Sequence, residues 1–489
     1  MSLHLRKITL DEIINSLGNP SDLTIRSVTI SLYKNIKLDG SIIYISGIVN
    51  EDIIEDSIIK PILESGKSIT QDNLLPILKK EILQVKSVSS TDSLEKTIEE
   101  LVNGKTVIYF SNLEEMIIAD TSMWKERSVS EAQTQRVAKG PVIGFNESLN
   151  TNIALMRKSI KSSKLRLEKY TYGSLTNTEI CVMYIDDLVD KEVLKELKNR
   201  LKKIKLTKLL DANYIEEFIS DDFTTPFPLV LTTDRPDVVT GEITDGRIAI
   251  LIEGTPYALI VPALFIQFLH SADDYYFING GITRFFRMFS MTLAIYIPAL
   301  YVAFVNFNPG LLPVDLLISL ASQREGKPFP LVIEILLFMF LFQMIIEGAI
   351  RLQKGLVSVV SIVGTIIIGQ SAVEAGLAQP ATLLVVSISY IFSFVSPIIT
   401  LSTAVRTIRY GLIFVAAFFG LYGIVLATIT LIFHLSHLRS FGIPYLSPLF
   451  PFNLVDQKDA VYRASIKKLT RSKHIFHHEE SVSQKDDKE

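Results

Sequence analysis

Residues 334–351 read EILLFMFLFQMIIEGAIR. Twelve uncharged, nearly all apolar residues separate Glu334 from Glu347, and Arg351 follows Glu347 by four positions. A helix needs roughly 20 such residues to cross a bilayer. A carboxylate held among them costs a few kcal/mol, so each one needs a reason. The apolar character extends well beyond this stretch. From residue 331 to 434 only Glu334, Glu347, Arg351, Lys354, Glu374, Arg406 and Arg409 carry formal charge. Five stretches are long and apolar enough to be membrane helices: 290–307, which contains Pro298, then 331–350, 356–378, 381–403 and 411–433. A sixth, 257–269, is too short to span and reads as an interfacial or buried segment.

At about 100° per residue, thirteen steps set Glu334 and Glu347 about 140° apart on one helix. They therefore cannot share a partner. Glu334 falls in the first turn after Lys327-Pro328-Phe329-Pro330. There a carboxylate suits the helix N-terminus and can reach headgroups. Glu347 and Arg351 stand i, i+4 in the favourable order for a local ion pair. The sharper alternative is that Glu347 faces a watery pathway or another subunit. In the next stretch Ser361, Thr365, Gly369, Ala372 and Gly376 fall at steps of four, four, three and four. They make one face of small residues, suited to close helix packing or to lining a narrow pore. Glu374 near its end could belong to a carboxylate ring that concentrates cations.

The remainder is soluble in character. The 489 residues carry 49 basic and 52 acidic side chains, a net charge of −3, which gives no footprint for nucleic acid. Mean hydropathy is +0.33, and the first 250 residues do not share the apolar character of 331–434. The single cysteine, Cys181, excludes an internal disulfide and reads as a core residue. The N-terminal MSLHLRKITLDEIINSL has no signal-peptide core.

The soluble half repeats. IIYISGIVNEDII (42–54) matches VMYIDDLVDKEVL (182–194), with Tyr184 standing 140 positions after Tyr44. In both, a strand leads through a turn to an N-cap, Asn50 or Asp190, and then to a helix. Ile54, Ile58 and Ile62 share a face of the first helix, and Leu194, Leu197 and Leu201 share a face of the second. TVIYFSNLEEMIIAD (106–120) and IAILIEGTPYALIVP (248–262) read as strand–turn–strand units 142 positions apart. The expected fold class is an α/β soluble half of two similar subdomains plus an α-helical polytopic membrane domain. The expected boundaries are 1–135, 136–270, 271–440 and a polar tail, 441–489. Lys191–Lys208 reads as a basic amphipathic helix packed on a sheet by its leucines, with contact to anionic lipid as the alternative.

No catalytic, cofactor or metal motif emerges. His434 and His437 stand i, i+3 without a Cys or carboxylate nearby in sequence, and read as an interface anchor. Basic residues at Arg284/Arg287, Arg351/Lys354, Arg406/Arg409 and the tail compete to mark the cytoplasmic side, so charge leaves the orientation open.

Several stretches together carry a family resemblance. They are GPVIGFNESLNTNIALMRKSIKSSKL (140–165), DRPDVVTGEITDGRIAILIEGTPYALIVPALF (234–265), SADDYYFINGGITRFFRMFS (271–290), PALYVAFVNFNPGLLP (298–313), REGKPFPLVIEILLFMFLFQMIIEGAIRL (324–352) and HLSHLRSFGIPYLSPLFPF (434–452). In these the chain resembles the A subunits of GerA-type spore germinant receptors. It departs where Gln353 replaces the usual Pro and where Ile346 replaces the usual Arg before Glu347. The resemblance implies a non-enzymatic subunit in the spore inner membrane, its N-terminal part on the core side. It also implies a homo-oligomer that acts with B and C subunits in nutrient sensing and passes monovalent cations, or else a non-conducting scaffold.

Overall fold

The computed structural model describes the chain apart from residues 1–7, 32–36, 65–72, 124–129, 133, 136, 138, 276–279, 352–368 and 451–489. Its described residues fall into two compact units, one within Met1–Ser220 and Val230–Pro262, the other within Asp221–Leu229 and Ala263–Ser472.

The first unit contains two five-stranded sheets. Strands β1 (Leu23–Ser31), β2 (Lys37–Ile45), β3 (Val88–Thr91), β4 (Thr106–Phe110) and β5 (Met116–Ala119) lie in the order β1-β2-β4-β5-β3. Strands β6 (Leu165–Tyr172), β7 (Thr178–Ile185), β8 (Leu231–Thr233), β9 (Ile248–Ile252) and β10 (Ala258–Val261) lie in the equivalent order β6-β7-β9-β10-β8. All the pairings are antiparallel. Among the helices, α1 (Leu94–Val102), α2 (Leu149–Ser159), α3 (Lys191–Lys203) and α4 (Pro236–Thr244) matter here. Helix α1 sits between β3 and β4 in sequence, and α4 between β8 and β9, so the repeat holds element by element.

The local chemistry is duplicated too. The Asn50 side chain accepts from the Asp52 N–H at 3.0 Å, and Asp190 accepts from the Glu192 N–H at 2.8 Å. Each satisfies a first-turn donor that a helix leaves free. Ile54, Ile58 and Ile62 are buried on the first helix, and Leu194, Leu197 and Leu201 on α3. Spacings of four overshoot an α-turn, and a π-turn over Glu55–Ile59 widens the winding to keep the isoleucines aligned. The basic helix ends at Lys203 rather than Lys208 and is tied to its sheet. Glu168 accepts from Lys198 Nζ (2.6 Å), Tyr184 Oη (2.6 Å) and Tyr170 Oη (2.7 Å). Burial pushes the Glu168 carboxyl up, but these three donors hold it below the ordinary carboxylate value. Cys181 is fully buried on β7, where loss of solvent pushes its thiol up to about 12. The Arg235-Pro236-Asp237 motif is a staple within this unit. Arg235 forks onto Asp237 (3.0 and 2.7 Å) and donates to the Gln135 and Pro141 carbonyls.

The second unit is helical: α5 (Gly280–Asn306), α6 (Val314–Arg324), α7 (Leu331–Arg351), α8 (Pro380–Ser393) and α9 (Ile399–His437). Among the described residues three helices are long and apolar enough to cross a membrane, Ile282–Asn306, Leu331–Ala349 and Ile399–His437, and Pro380–Ser393 is a shorter apolar helix. The expected span 356–378 lies largely outside the described residues. The expected span 381–403 is broken, because helix α8 stops at Ser393 and Ile399 begins a new one. Pro397 accounts for the break: it disfavours helix at the residue before it and cannot donate to the ladder.

The run 411–433 is also interrupted. Gly420 has φ 57° and ψ −143°, and a Cβ on Gly423 would lie 2.9 Å from Val415 Cγ1. Residues eight apart on a straight helix are about 12 Å apart. The two arms of α9, 399–419 and 421–437, therefore fold back on one another at Gly420. The stretch 257–269 is no membrane segment; it divides into β10 and a buried 3-10 turn, Phe265–Leu269. Downstream of α9, Tyr445 packs in the second unit against Phe227, Phe265 and Phe268.

Candidate functional site

Glu334 is not at a headgroup surface. It is fully buried among α5, α7 and α8, and its Oε1 accepts the Gln379 N–H at 2.6 Å. Pro380 at the first position of α8 makes Gln379 its N-cap. The next free donor of that helix, the Ala381 N–H, goes to Gln323 Oε1 at 3.2 Å. Glu334 thus serves the N-terminus of α8 rather than that of its own helix. Its second oxygen, Oε2, has no hydrogen-bond partner among the described residues. The same holds for both side-chain amide atoms of Gln379, the Thr382 hydroxyl and the Tyr301 hydroxyl. Thr382 stands within interaction range of both Glu334 and Tyr301, although no pair reaches hydrogen-bond geometry.

The other carboxylates behave differently. Arg351 Nη2 donates to Glu347 Oε1 at 2.7 Å, and both side chains are exposed, so this is the local pair that the spacing predicts. Glu374 is also exposed and accepts from Gln370 Nε2 at 2.9 Å. Of the small-residue face, Ser361 and Thr365 lie outside the described residues. A Cβ on Gly369 would meet nothing within 4 Å among the described residues, whereas Ala372 packs partly against the helical core. Gly376 has φ +71° and ends this helix. The Leu377 N–H reaches the Ala372 carbonyl at 2.9 Å and the Gly376 N–H reaches Val373 at 3.0 Å. That is the paired bonding of a Schellman cap, so Gly376 is glycine for its backbone, not for its place on a face.

Three of the arginines that compete in sequence to mark a membrane side have partners inside the helical unit. Arg409 is fully buried and donates from Nη1 to Ser389 Oγ (2.8 Å), which donates to the Ala294 carbonyl (2.7 Å). Ala294 is the middle residue of the span Ile282–Asn306. The guanidinium stacks over the Tyr390 ring at 4.3 Å. No carboxylate pairs with it among the described residues. Arg284 and Arg287 are likewise not free positive markers. Arg287 Nη1 donates to Asp274 Oδ2 at 2.7 Å, and Arg284 Nε donates to the same oxygen at 3.1 Å. Burial pushes the Asp274 carboxyl up, but Arg287 and then Arg284 outweigh that and hold it below its ordinary value.

The family model described as "Bacillus/Clostridium GerA spore germination protein" matches residues 11–475. The chain belongs to the GerA family. It is 40% identical over 449 residues to "Spore germination protein KA" of Bacillus subtilis (strain 168), covering 91% of this chain and 82% of that protein. It is 33% identical over 456 residues to "Spore germination protein GerLA" of Bacillus cereus, covering 93% and 92%. A solved structure, the N-terminal domain of the A subunit of the Bacillus megaterium spore germinant receptor GerK3, is 33% identical, with a TM-score of 0.42, and covers 53% of this chain and 97% of that one. GerA proteins are non-enzymatic signalling subunits that act in spore germination within receptor complexes, and the apolar helices make this one a membrane protein. Within this buried cluster, the sequence singles out Glu334 but not the polar groups around it. The one available signal was the Gln379-Pro380 helix start, which places a cap near a carboxylate only once the helices are packed.

Proposed function

We propose that the chain is the membrane subunit of a nutrient germinant receptor. Copies associate through the helix face at Gly369 and, together with B and C subunits, form a ligand-gated pathway for monovalent cations. The complex sits in the lipid of the spore inner membrane, with the N-terminal unit on the core side. The observation that carries this reading is the open ground at Gly369 beside half-buried Ala372, with Glu374 exposed on the same helix. Small-residue faces let helices from different subunits approach closely, and a ring of carboxylates at a pore end attracts cations. Ser361 and Thr365 extend that face in sequence. Glu347 and Arg351 form an exposed pair available to a neighbour.

The second reading is a non-conducting scaffold that couples a nutrient-binding partner to downstream germination proteins. It draws on Arg409, whose charge at mid-depth, without a carboxylate partner among the described residues, opposes cation passage through a single copy. Reconstitution with the partner subunits in liposomes separates the two. Nutrient-dependent cation efflux supports the channel, and a complex that binds nutrient without efflux refutes it. In spores, Gly369→Leu abolishes the nutrient response or makes the complex leaky at normal protein levels, and Ile391→Leu on an exposed face of α8 does neither. Normal germination by Gly369→Leu removes this face from the pathway.

A further inference from the structure

We propose that Tyr301, Glu334, Gln379 and Thr382 form a binding site for one hard monovalent cation, of the sodium or potassium class, inside the helical unit of a single copy. The site is separate from the Gly369 face and does not depend on the channel reading.

Four oxygens of these residues have no hydrogen-bond partners among the described residues: Glu334 Oε2, Gln379 Oε1, Thr382 Oγ1 and Tyr301 Oη. Thr382 lies within interaction range of both Glu334 and Tyr301, and the Gln379 backbone bonds Glu334. Glu334, Gln379 and Thr382 are essentially inaccessible to solvent. Buried polar groups left unpaired are rare and costly, and an ionised carboxylate is the costliest of them. Glu334 uses one oxygen on the Gln379 backbone and leaves the other without a hydrogen-bond partner among the described residues. The donor set is all oxygen, with one formal negative charge. Oxygen ligands select hard cations rather than zinc or copper. A single carboxylate neutralises a monovalent ion, whereas a divalent one would remain charged in a dry site.

Two side chains oppose the ion. Arg324 and Lys327 lie within electrostatic reach of Glu334. Arg324 is engaged with Asn306 Oδ1 at 3.1 Å. Lys327 passes close to Gly376, and neither cation bonds Glu334 directly. Lys327 is therefore a competitor, and removing its charge should tighten the site. An occupied site would also brace α7 against the start of α8, since its ligands come from both.

The test uses the full chain purified in detergent. Its thermal midpoint and its saturable binding of radioactive sodium and rubidium are followed at constant ionic strength, with choline chloride as the inert salt. Wild type should bind one ion per chain and gain stability in sodium or potassium over choline. Glu334→Gln and Thr382→Val should each weaken binding at least tenfold, Lys327→Gln should strengthen it, and Asp315→Asn on exposed α6 should leave it unchanged. If Glu334→Gln fails to fold, the Thr382→Val and Lys327→Gln arms carry the test. Equal stability in all three salts with no saturable binding means that the pocket holds water or a proton, and overturns the proposal. So does tight binding that survives Glu334→Gln.

Discussion

Gly420 should be the most sensitive backbone position in the membrane unit. Its φ of 57° and ψ of −143° lie in a region that side-chain-bearing residues seldom adopt, at a cost of about 1–3 kcal/mol. A Cβ there would also stand 2.8 Å from both Cβ and Cγ of Phe307. Crowding a packed contact costs about 1–3 kcal/mol more. Gly420→Ala should therefore lose roughly 2–6 kcal/mol, the sum of the two effects. A double-mutant cycle tests the ring's share of the steric part. Phe307 is half-exposed, so Phe307→Ala is mild by itself. In that background the Cγ and ring part of the clash should vanish while the Cβ contact and the backbone part remain, so the loss should fall but stay at or above about 1–3 kcal/mol. Reversible unfolding of the detergent-solubilised chain measures each term. A Gly420→Ala loss below about 0.5 kcal/mol, the size of an ordinary surface change, would show that α9 runs straight through residue 420.

Other outcomes follow from the same reasoning. Gly376→Ala should cost about 1–2 kcal/mol through its left-handed φ, whereas Gly369→Ala should be near neutral because a methyl meets nothing there; equal effects in an unfolding assay would contradict this. Asp274 titrates below its ordinary value in the folded state, so its stabilisation is complete above the unfolded value of about 4 and is lost as pH falls through the folded one. Asp274→Asn should cost about 3–5 kcal/mol at pH 7, by removing the carboxylate that both Arg284 and Arg287 engage, and should flatten the acid limb of the stability curve. In the first unit, Asp22 holds Arg157 in a buried fork at 2.8 and 2.9 Å. Asp22→Asn should destabilise that unit by about 3–5 kcal/mol, and a loss under 1 kcal/mol in chemical unfolding would count against a buried pair.

The sequence by itself determined the features that depend on local pattern. Period-two and helical spacing set the paired strands and helices, so the two repeats, their caps at Asn50 and Asp190 and their buried isoleucine and leucine faces were legible. The length of the apolar runs gave the membrane class, and the i, i+4 order gave the Glu347–Arg351 pair. The tertiary structure decided whatever depends on what one helix meets in another. Hydropathy averages over a window, so it passed over a single-residue reversal at Gly420 and a break before Pro397. Charge counting could only set Arg409, Arg284 and Arg287 among the residues competing to mark a membrane side, because their partners Ser389, Tyr390 and Asp274 lie 10 or more positions away in sequence. Glu334 was visible as an anomaly, but its partner Gln379 lies 45 positions away. A carboxylate in an apolar run announces only that it must be satisfied; which groups satisfy it is fixed when the helices pack.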